Sequence, residues 1–305
     1  MFYKKAITTD IPKIKSLWKE VFGDSEDYIH SFITHFGIDG CYVCEINDEI
    51  IAMAFAIPTT LSYIDNNSPS NFEGVSSEAR RGSLHLKYLY ACATHPNFRK
   101  QGIMEKLLTT IYAETCSENY AGIFLHAANH SLQNYYKKLG FEDYFFRNHS
   151  FYCKHNEHKD GTKDTKSETL DFNNLSSLQN HLLLKKIKTI TPDNYYQKRI
   201  KKLENFSFIN WNTDFFIFLN ETGTHFFEYE NSIFSFRTND NLIIIDEWLA
   251  EDTQNQIANL LFEQYPDFET IQVSSMENKT CCGQIKWCRS FEHKSKNGYF
   301  AFAME

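Results

Sequence analysis

Tyr88-Leu-Tyr-Ala-Cys-Ala-Thr-His-Pro-Asn-Phe-Arg-Lys-Gln-Gly-Ile-Met-Glu-Lys-Leu-Leu108 is the stretch on which the fold turns. Leu86–Thr94 is an apolar and aromatic run of strand length, and from Gly102 to Cys116 the residues Ile103, Leu107, Leu108 and Ile111 share one helical face. Between them lies a tight turn holding Arg99 and Gly102. The first N–H groups of such a helix lack intrahelical partners, and its macrodipole adds positive charge there, so the turn suits a pyrophosphate. Gly102 lets the main chain come close to the anion. Taken singly, Arg99 also reads as a surface arginine and Gly102 as a plain turn residue. Their joint place between strand and helix carries the anion reading.

Upstream, Tyr3–Thr8 reads as a short strand, and Asp10 is placed to cap a helix with Pro12 in its first turn and Ile14, Leu17, Trp18 and Val21 on one face. Cys41–Ile46 and Ile50–Ile57 read as a hairpin through Asn47-Asp48-Glu49, with Pro58 closing the second run. Leu61–Gly82 is polar and reads as a long substrate-side loop. Downstream, Ile123–Ala128 is a buried strand, and Ser131–Leu139 a helix stopped by Gly140. Cys41 and Cys44 are three apart on a strand and face opposite sides, which weighs against a metal or redox pair.

Lys154–Glu168 holds no large apolar residue and marks a linker. The expected organisation is a first domain over residues 1–153, a linker over 154–169 and a second domain over 170–305. In the latter, a helix around Asn194–Leu203 precedes strands Thr224–Tyr229, Ser232–Arg237 and Leu242–Leu249, a helix Gln254–Tyr265 and a strand Thr270–Ser275. This order repeats the first half: Asn241–Ala250 stands where His85–Thr94 stands, and Gln254–Tyr265 replaces the helix after the turn. Glu251-Asp252-Thr253-Gln254-Asn255-Gln256 brings two carboxylates and neither glycine nor arginine, so this copy would repel a pyrophosphate. Tyr299-Phe-Ala-Phe-Ala-Met-Glu305 alternates like a final buried strand.

The 305 residues carry 42% hydrophobic and 16% aromatic residues, which excludes a wholly disordered chain. Net charge is 31 − 39 = −8, so a nucleic-acid or anionic-membrane partner is not expected. No run of roughly 18 apolar residues is present and Met1–Lys5 opens no signal-peptide core, so the expected location is cytoplasmic. Eight cysteines are too few for a disulfide scaffold in such a chain and are expected as reduced thiols.

Arg99-x-x-Gly102 after Thr94-His95-Pro96 resembles the acyl-CoA signature of the GCN5-related N-acetyltransferase (GNAT) family, with Met104 where the family has Gly or Ala. Asn129 followed by Tyr135-Tyr136-Lys137-Lys138-Leu139-Gly140-Phe141 resembles that family's second signature. The resemblance covers roughly residues 1–150. It implies that the strand edge Cys92, Ala93 and Thr94 pairs with the pantetheine arm of acetyl-CoA. Arg99, Lys100, Gln101, Gly102, Ile103 and Met104 would hold the pyrophosphate, and Asn129 would contact the cofactor. Tyr136 would protonate the departing thiolate, or else be a core aromatic. Glu45 is a candidate base or a surface carboxylate, His95 a base or a solvent-facing turn residue, and Cys92 a small buried hydrophobe.

The two halves together resemble tandem-domain acetyltransferases, including the Eis type, in which a free C-terminal carboxylate serves as base. By that resemblance Glu305 is a further candidate. The fold class implied is α/β, a mixed α+β sheet built as tandem acyl-CoA N-acyltransferase folds with a degenerate second copy. The activity implied is a transferase moving acetyl from acetyl-CoA to a primary amine of a small molecule or peptide, by direct attack in a ternary complex. The alternatives are a non-catalytic acyl-CoA-binding regulatory protein and an aminoacyl-tRNA-dependent transferase. No metal is implied.

Overall fold

Alternation of short apolar strands with amphipathic helices builds a mixed α/β chain, and its computed structural model describes residues 1–64, 81–154, 187–249, 254–288 and 298–302. In chain order the elements are β1 (Phe2–Lys5), α1 (Ile11–Phe22), α2 (Glu26–Phe36), β2 (Cys41–Ile46), β3 (Glu49–Ile64), β4 (Arg81–Thr94), α3 (Ile103–Ser117), β5 (Gly122–Leu125), α4 (His130–Lys138), β6 (Glu142–Cys153), β7 (Lys188–Thr189), α5 (Pro192–Lys202), β8 (Phe208–Asn210), α6 (Thr213–Glu221), β9 (His225–Tyr229), β10 (Ser232–Asn239), β11 (Leu242–Leu249), α7 (Gln254–Gln264) and β12 (Thr270–Trp287). No described helix is long and apolar enough to cross a membrane.

The chain divides into two units: Met1–Phe146 with Asn205–Phe218 and Cys281–Glu305, and Arg147–Glu204 with Leu219–Thr280. Both are discontinuous in sequence, unlike the cut at residues 154–169. Strand pairing is the reason: β8 pairs with β3 through Leu61 and Ile209, and Gln284–Trp287 of β12 pairs with β5. Residues 155–169 of the expected linker lie outside the described residues.

In the first unit β1, β2, β3 and β4 are antiparallel neighbours, and β5 returns parallel to β4 after α3. Asn47 and Asp48 both adopt positive φ, 49° and 65°, at the β2–β3 turn, the conformation a two-residue hairpin demands. β3 does not stop at Pro58 but runs on to Ile64. Pro58 lies beyond the last β2 partner, Phe55, and before the first β8 partner, Thr60, so on that side no ladder bond needs its missing N–H. Tyr63↔Gly82 and Ile64↔Arg81 likewise turn the ends of the expected 61–82 loop into strand, leaving 65–80 outside the described residues.

Asp10 stands at the N-cap of α1 without capping it; its carboxylate accepts from the Ile7 N–H at 3.1 Å and pairs with Lys4. Two aromatic and aliphatic layers flank this sheet. Trp18, Phe32, Phe55 and Tyr90 meet edge to face or tilted on the α1–α2 side, and Leu89, Leu107, Ile111, Ile123, Leu125 and Tyr136 form the α3–α4 side.

Cys116 and Cys288 form a disulfide, against the expectation of reduced thiols throughout. They are 172 residues apart, and the β5–β12 register joins them. Gly122 pairs with Trp287, and the Cys288 N–H donates to the Ala121 carbonyl, just past the end of α3. At Gly122 a Cβ would stand 2.5 Å from the Lys286 carbonyl oxygen, so only glycine permits that approach. The end of the described chain is not a strand. Tyr299 makes an isolated bridge to Phe208, and Tyr299 through Phe302 are all buried, which a one-sided alternating strand would not show.

In the second unit β9, β10 and β11 are antiparallel, α7 follows, and β12 returns parallel to β11 over Leu242–Ile245 and Thr270–Val273. The first unit pairs Leu86–Leu89 with Gly122–Leu125 in the same way across α3. The strand–helix–parallel strand repeat read from the sequence is therefore present in both units. Of the acidic stretch before α7, residues 251–253 lie outside the described residues.

Candidate active site

The site begins where β4 and β5 part. Their parallel ladder ends at Leu89↔Leu125, while β4 continues five residues to Thr94. Opposite β3, the register slips so that Ala91 and Cys92 together face Ala54, and Ala91 takes φ 49°. This β-bulge re-aims the strand and leaves the backbone of Tyr90–Thr94 beyond the β5 ladder.

Beyond the strand, the His95-Pro96 turn is held locally. His95 Nδ1 accepts from the Asn97 N–H at 3.2 Å, and its Nε2 lies 3.3 Å from Glu20. That is the turn-residue reading of His95. The Arg99 Nε–H donates to the Thr94 carbonyl at 3.1 Å and ties the turn back to the strand. Lys100 and Gly102 both adopt left-handed conformations, φ 62° and 72°, a geometry that gathers successive N–H groups around an anion. A Cβ on Gly102 would meet nothing within 4 Å, so the space beside it is open. Ile103, Met104 and Glu105 then supply the first N–H groups of α3, the earliest ladder bond from beyond them being Lys106 N–H to the Gly102 carbonyl.

A cavity of about 520 Å³ opens at the parting of the strands. Trp18 and Phe22 of α1 line it with Asp24, Tyr88 through Cys92 of β4, Leu125 and His126 of β5 and its exit, Ala128, and Leu132 and Tyr136 of α4. The Tyr136 ring is buried against Tyr135 and Phe141. Burial pushes its phenol well above the ordinary value, and neighbouring Cys92, to whose sulfur the hydroxyl donates, adds to the rise. Burial also pushes the Cys92 thiol up to about 12, partly offset by that hydrogen bond. Both groups therefore keep their protons near neutral pH. Cys92 is no thiolate nucleophile, and Tyr136 remains a proton donor.

Other sequence-selected residues fall elsewhere. Glu45 lies outside the cavity lining, on β2, paired with Lys4 at 2.6 Å. The Asn129 Oδ1 accepts from the Leu132 N–H at 3.0 Å, capping α4. Glu305 lies outside the described residues. Cys41 and Cys44 are both buried in β2, Cys44 alone packing in the α3–α4 layer, and no cluster of metal-ligating side chains occurs among the described residues.

Asp24 and His126 are cavity residues that the sequence reading passed over. The Asp24 carboxylate accepts from the Trp18 Nε1–H at 2.7 Å. His126 ends the apolar run Ile123–Leu125, and strict alternation from Phe124 is the one signal that would have placed it on the α1 side. Nothing in Gly23-Asp24-Ser25 marks Asp24.

Residues 11–141 match the model of the Acetyltransferase (GNAT) family. No curated protein sequence matches the chain significantly. Among solved structures, a GCN5-related N-acetyltransferase from Kribbella flavida shares 11% identity at TM-score 0.63, covering 94% of this chain and 69% of its own. One from Anabaena variabilis shares 12% at 0.61, covering 93% and 70%. Eis1 from Mycobacterium abscessus shares 8% at 0.57, covering 94% and 73%. These likenesses show the fold across nearly the whole chain. Residues 11–141, which hold both signature stretches beside a parted pair of strands, are thus similar to the GNAT family of acetyltransferases.

Proposed function

We propose that the first unit transfers acetyl from acetyl-CoA to a primary amine carried on an apolar body. The observation that carries this is the cavity at the β4–β5 parting, which is lined by Tyr136 and Leu132 of α4, by Cys92, and by the aromatic residues Trp18 and Phe22 of α1. The backbone of Cys92, Ala93 and Thr94, past the last β5 partner, holds the pantetheine amides as an added strand would. Arg99 through Met104 receive the pyrophosphate on main-chain N–H groups and the dipole of α3. Trp18, Phe22, Tyr88, Tyr90 and Leu132 take the apolar part of the acceptor, and Asp24 stands among them as an anion for its cationic head.

Direct transfer needs the amine close to the thioester carbon, charge on the carbonyl oxygen stabilised, and a proton for the leaving sulfur. Main-chain N–H groups at the bulge serve the second need, and Tyr136 the third. Asn129, whose Oδ1 is engaged at the α4 cap, serves by setting where that helix starts and hence where Tyr136 lies.

Calorimetric titration of acetyl-CoA tests the cosubstrate half of this reading. One saturable site per chain is expected, and Gly102→Glu should weaken it by about 100-fold, the scale of one or two lost charge-assisted hydrogen bonds. The open space beside Gly102 lets the variant fold, at about 1–2 kcal/mol for the left-handed backbone. Undiminished affinity would move the site elsewhere.

The acceptor half is tested by thiol release from acetyl-CoA with 2-phenylethylamine, spermidine and a lysine-containing peptide. The arylalkylamine should be favoured, and Asp24→Asn should raise its KM by roughly 10- to 100-fold, since the amide still accepts from Trp18 but carries no charge. Binding of acetyl-CoA with no release for any amine would favour the non-catalytic reading.

A further inference from the structure

Resting on the acetyltransferase reading, we infer that Gln284 is a positioning residue: its side-chain amide sets α4 so that the Tyr136 hydroxyl meets the departing sulfur. α4 spans nine residues, too few to hold a helix in place without partners. Its packing is thin, because Tyr136 is its one buried side chain. Asn129 fixes where the helix begins, but a cap at one end leaves rotation about the helix axis undetermined. That rotation decides whether the Tyr136 hydroxyl reaches Cys92 and the cavity.

The second hold comes from β12. Gln284 stands opposite Leu125 in the β12–β5 register, and cross-strand partners share a face, so its side chain points with Leu125 into the α3–α4 layer. There it is fully buried. Its Nε2 donates to the Gln133 main-chain carbonyl on α4, at 3.3 Å, and to the Asp143 Oδ1, at 3.0 Å. The other oxygen of Asp143 takes Lys137 Nζ at 2.6 Å. Gln133 and Lys137 are four apart and lie on one stripe of α4, so one amide and one carboxylate tie successive turns of the helix to β12. Burial alone would raise the Asp143 carboxyl, but hydrogen bonds from Lys137, Cys281 and Gln284 hold it below its ordinary value, so it stays an acceptor at neutral pH. The Gln133 side chain adds a longer contact, 3.5 Å from its Nε2 to the Cys281 carbonyl.

Stability does not call for an amide at this place. The Gln284 Oε1 is buried and accepts from no described group, so folding strips it of water without return. Leucine, of like bulk, would avoid that cost. Neither acceptor would be stranded by the change, since the Gln133 carbonyl also serves the α4 ladder and Asp143 keeps Lys137. A polar group that burial penalises, and whose donors both brace the helix of the proton donor, is accounted for by the placing of that helix.

Gln284→Leu tests this in the full chain, alone and combined with Tyr136→Phe, using whichever of the three amines above the parent acetylates fastest. Alone, the variant should lose about 10- to 100-fold in kcat, the scale of a misplacement of about 1 Å, with the acetyl-CoA affinity and the urea midpoint close to parental. In the Tyr136→Phe background the same change should cost less than about twofold, because no hydroxyl is left to place. Equal losses in both backgrounds would overturn the role, as would parental kcat in Gln284→Leu or a fall in acetyl-CoA affinity that accounts for the loss. A Tyr136→Phe variant as active as the parent would also overturn it, there being no donor to position. A parent that acetylates none of the amines removes the reading beneath it. If Gln284→Leu does not fold, Gln284→Met, unbranched and without the amide, answers the same question.

Discussion

Tyr136→Phe is expected to lower kcat by about 100- to 1,000-fold and to leave acetyl-CoA affinity unchanged. The phenyl ring keeps the edge contacts to Tyr135 and Phe141, at 5.3 and 5.6 Å between centroids, so the helix and the α3–α4 layer persist. Only the hydroxyl is lost, and with it the proton that the proposed mechanism gives to the departing thiolate. Burial raises the phenol's pKa above its ordinary 10.0 by disfavouring the anion. The sign follows: a raised pKa keeps the proton on as pH increases, so Tyr136 contributes no descending limb to kcat below about pH 10. Steady-state kinetics with 2-phenylethylamine, beside calorimetry, decide the matter. A variant with parental kcat would return Tyr136 to the role of a core aromatic.

In the second unit the largest effect is expected at a buried ion pair. The Arg199 Nε–H of α5 reaches both Glu247 oxygens of β11, at 3.0 and 2.8 Å, and the Tyr195 hydroxyl donates to the same carboxylate at 2.7 Å. All three side chains are fully buried. Arg199→Ala strands a carboxylate away from water and should cost about 3–5 kcal/mol, read as a lower urea midpoint. Adding Glu247→Leu removes the stranded charge and should restore most of the loss, although a cavity remains where the guanidinium lay. A single variant as stable as the parent would show that the carboxylate reaches water.

Helix and strand positions were largely open to local reading because burial on one face imposes a period. Ile103, Leu107, Leu108 and Ile111 line up at helical spacing and form one wall of the α3–α4 layer. The strand–turn–helix order around Gly102 was equally legible, since its parts are neighbours in the chain. What failed were readings in which a local signal is overruled by a partner far away. Pro58 looked like a strand end, yet an unpaired stretch between β2 and β8 tolerates it. Glu45, read as a base or a surface carboxylate, pairs with Lys4 outside the cavity lining.

Chain neighbourhood alone was thus enough for the acetyltransferase motifs, the mixed α/β class and the repeated strand–helix–strand order, because each depends on residues within a turn or one helix of each other. Tertiary structure decided the rest: the discontinuous units, the Cys116–Cys288 disulfide and the meeting of Asp24, His126 and Tyr136 in one cavity. The physical reason is common to all three. Ladder pairings such as β3 with β8 and β5 with β12 join segments more than a hundred residues apart, and no periodicity within either segment announces its partner.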